Sequence, residues 1–599
     1  MKMAGHTPHR PAWPLGRREG NAVQNLGIGY EDYKRMMDDD CYYVDKTQMI
    51  QELMQNRAMV TLFTRPRRFG KTLALSMLRT FFEKEFDRDG NPVDNSRYFE
   101  GKKIMSADPS ILSRMGQYPV IHLSLKSAKK SNFKASFLKI REAIIKEYDR
   151  HRYLACSNTL SLREKEIFNE LLSGASNQEL RDNERFDEEV ENYTSSIMLL
   201  SMYLEKHHEK KVVILIDEYD VPLETAYYNG FYREMVDFIR SLFESALKTN
   251  DALEFAVITG CLRISKESIF TGLNNLKIKS IRENSFSEYF GFTQQETERA
   301  LVNFGIADKV EEVKKWYDGY LFGKKEIYNP WSVLCYIEGV TKDEKECPEP
   351  YWPNTSSNQI IKDMIGHAGK SVRDELDCLV NGGTIEKCIH ENITYDDIHE
   401  SDDNFWNFLF FTGYMKKVSE RKDGTRIYMT MKIPNMEVQY IYETQIMEWL
   451  ETIVKDTDRT ELYKAVLEED LANMKGYITQ LLKKSISTFD SAESFYHGFL
   501  LSLLLDMEDY EVKSNREEGN GRPDIVLYPN TEDLPVVVFE VKACKTFKEM
   551  QTGLKKALTQ IGDKDYIGGI MADGYEKVIA YGICFCKKSC VVEKYGDLP

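Results

Sequence analysis

The chain has 599 residues, so at about 150 residues per domain we expect three or four domains rather than one compact core. Its hydrophobic fraction of 42% and aromatic fraction of 12% exclude an intrinsically disordered chain. The formal net charge of −16 excludes a protein that coats nucleic acid through bulk positive charge, so any nucleic-acid site must be a local basic patch.

Three features concern the surroundings of the protein. The longest apolar runs, at 212–216 and 499–505, are far shorter than the roughly 20 residues of a membrane-spanning helix, so we expect no membrane span. Residues 1–24 are rich in Pro, Gly, His and Arg and lack an apolar signal segment, which predicts a disordered tail. The 11 cysteines have no even spacing, which favours reduced thiols and a cytoplasmic location.

Residues 25–280 have the pattern of an α/β domain, because short β-branched runs alternate with amphipathic stretches. We predict strands at 58–64, 118–125, 212–216 and 253–258. Helices are predicted at 133–148, 186–208 and 232–248. This alternation is typical of a parallel sheet covered by helices.

A phosphate-binding loop is predicted between the first strand and the apolar helix that follows it. Such a loop needs glycine so that backbone N–H groups can wrap phosphates, a lysine that reaches the outer phosphates, and a hydroxyl for Mg²⁺. Gly70, Lys71 and Thr72 supply these groups, and Arg68 and Phe69 precede them in the loop. These five residues are the predicted ATP-binding loop, with Thr72 as a Mg²⁺ ligand.

The same loop departs from the general pattern at Arg65, which stands where the pattern has glycine. Arg65, Arg67 and Arg68 are either phosphate or sensor residues, or they are solvated or docked onto a carboxylate. We therefore assign none of them a catalytic role.

An acidic pair follows the strand at 212–216. Asp217 would hold the Mg²⁺ shell and Glu218 would polarise the attacking water, because a strand delivers its last side chains to the carboxyl edge of the sheet. Thr259, at the end of the next strand, is predicted to contact the γ-phosphate. Taken alone, the glycine loop could be a helix start with a basic flank, and the acidic pair could be a solvated strand end. Their order along the chain and their strand and helix context favour nucleotide binding.

The rest of the chain divides into three predicted regions. Residues 281–455 are predicted to be mainly helical, and residues 456–490 to be a helical connector. Residues 491–599 have the element order α, β, β, β, α, β, with strands at 510–513, 524–528, 535–541 and 577–586 and helices at 493–505 and 547–561.

This last unit contains a second candidate site at Asp524, Glu540 and Lys542. Glu540 and Lys542 lie two apart on an apolar strand and project to the same face, and Asp524 opens the preceding strand. Two carboxylates can hold Mg²⁺, which activates water for attack on a phosphodiester, while the ammonium stabilises the phosphorus centre or positions the water. Glu493 would add a metal ligand. A charged pair on an edge strand is the alternative, which the surrounding Val and Phe residues disfavour.

Other residues of this unit are close to the same site in the sequence. Gln560 and Tyr566 could orient it, and His497 is interpreted as a packing residue of the helix rather than a ligand. Cys584 and Cys586 are interpreted as buried small hydrophobes rather than zinc ligands, because no second pair lies at suitable spacing. The lysines at 126–134 are interpreted as a solvated loop, with contact to phosphate backbones as the alternative.

The motifs together resemble a known family. The motifs that carry the resemblance are YYVDKT at 42–47, RPRRFGKT at 65–72, LIDEYD at 215–220, GLNN at 272–275, WYDGY at 316–320, YNPWS at 328–332, YHGF at 496–499 and SNRE at 514–517. They are similar to bacterial AAA-ATPase-like proteins with a C-terminal domain of the PD-(D/E)XK nuclease superfamily. The likeness covers about residues 25 to 590.

This resemblance implies an α/β multidomain chain: an ASCE-type P-loop fold, a helical region and a restriction-endonuclease-like core. It implies that Lys71 and Thr72 bind nucleotide, that Asp217 and Glu218 are the Walker B pair, and that Asp524, Glu540 and Lys542 are the nuclease triad. The function that follows is an ATP-regulated, Mg²⁺-dependent DNA endonuclease, with RNA as an open alternative substrate. The competing hypothesis is an ATP-dependent switch or scaffold, with nucleotide-dependent homo-oligomerisation, whose last domain binds nucleic acid or protein without cleavage.

Overall fold

The computed structural model describes residues 24–56, 58–87, 90–176, 178–263, 269–270, 275–352, 370–391, 394–455, 458–485, 493–514, 523–531 and 533–596. The predicted tail at 1–24, apart from its last residue, lies outside these residues, as do most of the motifs at 272–275 and 514–517. Within the described chain, no helix is both long and apolar enough to cross a membrane.

The first described part is an α/β unit. Its strands are β1 (Val60–Thr64), β2 (Glu85–Phe86), β3 (Pro92–Val93), β4 (Val120–Ser124), β5 (Val212–Asp217), β6 (Leu253–Gly260) and β7 (Leu276–Lys279). Its helices are α1 (Tyr33–Asp38), α2 (Gln48–Asn56), α3 (Lys71–Phe82), α4 (Pro109–Leu112), α5 (Phe133–Arg150), α6 (Leu162–Ser173), α7 (Asn183–Thr194), α8 (Ser196–His208), α9 (Val221–Asn229) and α10 (Tyr232–Leu247).

The main sheet of this unit has the order β4-β5-β6-β1-β7, and all of its strands are parallel. Strand β6 therefore separates β1, which leads into the glycine loop, from β5, which ends in the acidic pair. The carboxyl ends of β1, β5 and β6 share one edge, where the predicted site residues meet. This is the predicted ASCE-type parallel sheet, and β7 is an edge strand that the sequence pattern did not indicate.

The middle region is mainly helical, as predicted, but it also holds two small sheets. Its helices are α11 (Gln294–Asn303), α12 (Val310–Tyr317), α13 (Pro330–Lys342), α14 (Lys370–Val380), α15 (Asp402–Thr412) and α16 (Met436–Lys455). Its strands are β8 (Phe292–Thr293), β9 (Tyr320–Phe322), β10 (Lys325–Tyr328), β11 (Ile385–Cys388), β12 (Lys416–Asp423) and β13 (Arg426–Lys432). These strands form two antiparallel sheets, β8-β10-β9 and β11-β13-β12.

The C-terminal unit is a mixed sheet with helices on both faces. Its helices are α17 (Thr460–Leu467), α18 (Leu471–Ser485), α19 (Glu493–Leu504), α20 (Met550–Asp563) and α21 (Tyr566–Ala572). Its strands are β14 (Tyr510–Ser514), β15 (Ile525–Pro529), β16 (Val536–Ala543), β17 (Val578–Cys586) and β18 (Ser589–Lys594). In the order β14-β15-β16-β17-β18, the pair β16 and β17 is parallel and the other neighbours are antiparallel.

Three contacts attach the connector and the middle region to this unit. Helix α18 packs against β18, and the Tyr581 hydroxyl donates a 2.8 Å hydrogen bond to the carbonyl of Val466 on α17. Helix α16 packs against α19. The connector helices are therefore part of the surface of the C-terminal unit.

Candidate functional site

The glycine loop joins β1 to α3. Gly70 caps the helix with a φ of +81°, in the left-handed region that favours glycine. Arg68 also has a positive φ, of 68°. The loop therefore turns sharply into α3, whose first N–H groups have no partner within the helix and can bind an anion.

Lys71 lies within this loop and is 5% exposed. Its Nζ donates to the carbonyls of Arg65 at 3.0 Å and Pro66 at 2.9 Å, so the ammonium closes the loop on itself. The next side chain, Thr72, donates from Oγ1 to Oδ2 of Asp217 at 2.7 Å. The residues expected to bind phosphates and Mg²⁺ are thus in contact at the sheet edge.

The acidic pair at the end of β5 is held by Thr259 of β6. The Thr259 hydroxyl accepts from the Glu218 N–H at 3.4 Å and donates to Oδ1 of Asp217. Asp217 is fully buried, and Glu218 has a positive φ of 53° that turns it away from the strand. Burial raises the pKa of Glu218. The positive charge of Lys71 opposes this rise, and the negative charges of Asp217 and Asp220 add to it. A carboxyl with a raised pKa is suited to hold or move a proton.

Arg65 has a structural place in the loop. Its guanidinium is fully buried and donates to the carbonyls of Thr64 at 2.8 Å, Lys279 at 2.7 Å and Phe286 at 3.3 Å. It thereby ties the end of β1 to the end of β7, and burial lowers the pKa of Arg65 to about 9. An arginine replaces the usual glycine here because it holds the sheet edge together.

The other loop side chains also have defined partners. Arg67 forms an ion pair with Glu224 of α9. The Arg68 guanidinium lies 4.3 Å from the ring centre of Trp331, a cation–π contact with the middle region. The Phe69 ring is buried and packs against Tyr320 and Phe322.

A cavity of about 290 Å³ opens over the loop. Residues 67–74 form its floor, and Glu218 and Asp220 lie on one side. Aromatic residues of the middle region form another wall, among them Trp331, Trp352, Tyr395 and Tyr414. The combination of a phosphate loop with an aromatic wall suits a nucleotide, which has an anionic end and a flat base.

Lys126 and Lys129 also line this cavity. Lys126 follows β4 and is paired with Glu31, a second lining residue. Two of the four lysines interpreted as a solvated loop therefore line the cavity over the glycine loop, where the parallel sheet brings the end of β4 beside that of β5.

Asp220 is a site residue that the pattern did not single out. It is 3% exposed, and its Oδ2 accepts from the N–H groups of Cys261 at 2.6 Å and Leu262 at 3.0 Å. It thereby fixes the segment after β6 against the segment after β5. Its position two residues after the acidic pair was the available signal.

The second site lies on β15 and β16. Nζ of Lys542 donates to Oε1 of the fully buried Glu540 at 2.9 Å, and Oδ2 of Asp524 accepts from the Val541 N–H at 2.7 Å. The structure therefore brings Asp524, Glu540 and Lys542 together, and the Asp524 side chain is held by the backbone between the other two. Oε2 of Glu540 is buried and has no hydrogen-bond partner within the described chain.

Burial and neighbouring charges shift the pKa values of all three residues of this cluster. Burial, reinforced by the charge of Asp524, raises the pKa of Glu540 to about 7. Burial also raises the pKa of Asp524, against the hydrogen bond from Val541. Burial alone would lower the pKa of Lys542, but its hydrogen bond to Glu540 and the surrounding carboxylates outweigh that effect and raise it.

The remaining predicted residues surround this cluster. Oε1 of Glu493 accepts a 3.2 Å hydrogen bond from Nζ of Lys542. Glu493 is therefore connected to Glu540 through the Lys542 ammonium. Nε2 of His497 lies 2.9 Å from the carbonyl of Asp524, so this histidine holds the start of β15. Gln560 donates to the Tyr566 hydroxyl at 3.4 Å. Across the described residues, no group of three or more His, Cys, Asp or Glu is arranged to hold a metal.

Comparison with known proteins agrees with this geometry. Residues 27–270 match the family model described as Predicted AAA-ATPase, and residues 491–595 match that of the PD-(D/E)XK nuclease superfamily. The chain contains both family domains. It is also 24% identical over 590 residues to the "Uncharacterized protein in vnfD 5'region" of Azotobacter chroococcum mcd 1, which covers 96% of this chain and 99% of that relative.

Domains of these two families are of ATPase and nuclease type, and they generally use a nucleotide and Mg²⁺. In the AAA-ATPase domain, the donors that fit Mg²⁺ are the Thr72 hydroxyl and the Asp217 carboxylate, which now hydrogen-bond to each other. In the nuclease domain, they are Asp524 and Glu540, because Glu540 keeps one buried oxygen without a donor. Each domain therefore offers two side chains with oxygen ligands of the kind that Mg²⁺ binds.

Proposed function

We propose that the chain is an ATP-binding P-loop ATPase that regulates a Mg²⁺-dependent DNA endonuclease in its own C-terminal domain. The observation that carries this proposal is the buried Glu540 carboxylate, bound on one oxygen by Lys542 and without a donor on the other. A buried carboxylate oxygen without a partner costs free energy, and a cation at that oxygen would remove the cost.

In the nuclease domain, each residue of the cluster has a separate role in the proposal. Asp524 and Glu540 would hold Mg²⁺, which supplies Lewis-acid activation of a phosphodiester and of water. The Lys542 ammonium would orient the water or stabilise charge on phosphate oxygens, since its hydrogen bonds keep it at the carboxylates. His497 supports Asp524 through the backbone.

In the AAA-ATPase domain, ATP phosphates would replace the carbonyls of Arg65 and Pro66 as partners of Lys71. Thr72 and Asp217 would hold Mg²⁺. Glu218 would accept a proton from the attacking water, which its position beside Thr259 and its raised pKa support.

A run of contacts between the two sites supports regulation by ATP. Oε1 of Glu437, near the start of α16, accepts from the N–H groups of Tyr351 at 3.0 Å and Trp352 at 2.9 Å, and Trp352 lines the nucleotide cavity. Helix α16 is 20 residues long, about 30 Å, and packs against α19. Helix α19 begins with Glu493, which contacts Lys542.

Cleavage of DNA by the full chain tests the proposal. Supercoiled plasmid and linear duplex are incubated with Mg²⁺ or with EDTA, each with and without ATP. We expect Mg²⁺-dependent cleavage that ATP alters and that Asp524→Ala and Lys542→Ala each abolish. Lys464→Ala with Glu468→Ala, two exposed residues on α17 and at its C-terminal cap, is the matched control and should cleave like the wild type. Absence of cleavage in every condition would reject the nuclease function.

A non-cleaving ATP-dependent switch is the second candidate. One observation favours it: in the part of the chain that the structure describes, no group of three or more ligand-type residues could hold a metal, and Lys542 already neutralises Glu540. This function predicts ATP-dependent oligomerisation or DNA binding that Lys71→Ala abolishes. Light scattering and DNA binding with and without ATP distinguish it, and it fails if ATP changes neither.

A further inference from the structure

The end of the nuclease strand β16 and the segment after it are basic in an acidic protein. Residues 542–564 contain six lysines and two carboxylates, a net charge of +4, whereas the whole chain carries −16. Lys542 is bound by Glu540 and Glu493. Within the described chain, no ion pair joins a carboxylate to the other five, which are Lys545, Lys548, Lys555, Lys556 and Lys564.

Helix α20 sorts this segment into two faces. Leu554, Leu558 and Ile561 are buried against the sheet. The opposite side carries the exposed residues Thr552, Lys555, Lys556 and Thr559. Together with Gln560 and Lys564 they line a shallow groove, in which Asp563 is the acidic residue. Lys556 and Gln560 of α20 and Lys564, its C-terminal cap, are spaced four residues apart, so they form one row along the helix, with roughly 5–6 Å between successive Cβ atoms.

Gln560, the middle residue of this row, connects it with the surroundings of the carboxylate cluster. Gln560 donates to the Tyr566 hydroxyl at 3.4 Å. The pKa of Tyr566 is raised by burial and by the nearby charges of Glu540 and Asp524. Gln560 therefore links the basic helix face to Tyr566, and α20 packs against β16, the strand that carries Glu540 and Lys542.

We infer that this face of α20, with Lys556 and Lys564 as its principal cations, binds the sugar-phosphate backbone of duplex DNA beside the cleavage site. The inference rests on the proposed nuclease function. Lysine ammonium groups bind phosphates as point charges, and Thr and Gln side chains add hydrogen bonds to phosphate oxygens. Because the rest of the protein is acidic, a local row of cations orients the duplex on one face only.

Binding of a short fluorescein-labelled DNA duplex, measured by anisotropy in EDTA, tests this inference without cleavage. The test variant is Lys556→Gln with Lys564→Gln in the full chain. The matched control is Lys475→Gln with Lys483→Gln, two exposed lysines of α18 with the same eight-residue spacing, on a helix that packs against β18. Thermal melting checks that all the proteins are folded.

Loss of two phosphate contacts should weaken binding roughly 10- to 60-fold near 0.1 M salt and reduce the slope of log K against log salt by about 1.8. The control should keep the wild-type affinity and slope. This result supports the inference even if the chain cleaves no DNA. Wild-type affinity and slope in the test variant overturn it, and Mg²⁺-dependent cleavage in the same variant would then leave the nuclease function intact. Binding of duplex RNA without binding of duplex DNA also overturns it, as does failure of the wild type to bind DNA at low salt.

Discussion

The hydroxyl of Thr72 lies 2.7 Å from Oδ2 of Asp217, and this contact joins the start of α3 to the end of β5 across 145 residues of sequence. Both groups are ligands that Mg²⁺ accepts, and here they satisfy each other. Because the contact uses the hydroxyl only, its contribution to the proposed Mg²⁺-dependent nucleotide binding can be separated from the packing of the side chain.

Thr72→Val keeps the shape of the side chain and removes the hydroxyl. We expect the affinity for ATP with Mg²⁺ to fall about 10- to 100-fold, the equivalent of about 1.4–2.8 kcal/mol, whereas the affinity for ATP in EDTA should change little. Isothermal titration in the two buffers measures both. Thr72→Ser should recover most of the Mg²⁺-dependent affinity. Equal losses in the two buffers would contradict a role as a metal ligand.

Lys71→Ala should abolish detectable ATP binding, because Lys71 is the cation inside the glycine loop. The matched control is Lys211→Ala, since Lys211 is exposed and directly precedes β5, at the opposite edge of the sheet. Isothermal titration with millimolar ATP and Mg²⁺ distinguishes the two variants. If Lys71→Ala bound ATP as well as Lys211→Ala did, the cavity would not be a P-loop nucleotide site.

The two sites were predictable to the extent that their signals are local. Lys71 and Thr72 are predictable from a glycine loop between a buried strand and an apolar helix. Asp217 is predictable from an acidic pair after a second strand. In the C-terminal unit, Glu540 and Lys542 were conspicuous because they interrupt a run of Val and Phe. The structure then brings each set together.

The features that sequence reasoning missed depend on long-range contacts. Arg65 departs from the P-loop pattern because it donates to Lys279 on β7, an edge strand that has no clear pattern of its own. Trp331 reaches the cavity from the middle region. Strand β18 was missed because its two-residue turn uses Lys587 at a φ of +55° instead of the usual Asn or Gly.

Arg65→Gly would restore the general P-loop pattern but should destabilise the protein. The substitution removes three hydrogen bonds from a buried guanidinium and leaves the carbonyls of Thr64, Lys279 and Phe286 without this donor, a loss of about 3 kcal/mol or more. A lower Tm by calorimetry is the expected result. The Tm of Arg65→Lys should lie between those of Arg65→Gly and the wild type, because lysine keeps a charge but forms fewer hydrogen bonds. An unchanged Tm in Arg65→Gly would contradict the structural role of this arginine.

Glu437 should make stability depend on pH. Its carboxyl is fully buried and accepts from Ser332, Tyr351 and Trp352, and burial raises the pKa of Glu437 from its ordinary 4.5 to about 7. The folded state therefore binds this proton more tightly than the unfolded state does. The contribution is fully present below pH 4.5, falls as the pH rises through the window from 4.5 to 7, and by pH 8 has lost about 3 kcal/mol.

Glu437→Gln removes this titration while its amide oxygen can still accept the same donors. Relative to the wild type, the variant should therefore gain stability between pH 5 and pH 8, so the difference in Tm by calorimetry should shift in its favour as the pH rises. Glu443→Gln is the control, because Glu443 is exposed on the same helix and its replacement should give a difference that is the same at both pH values. A constant difference in Tm for Glu437→Gln would show that the buried carboxyl does not titrate in this window.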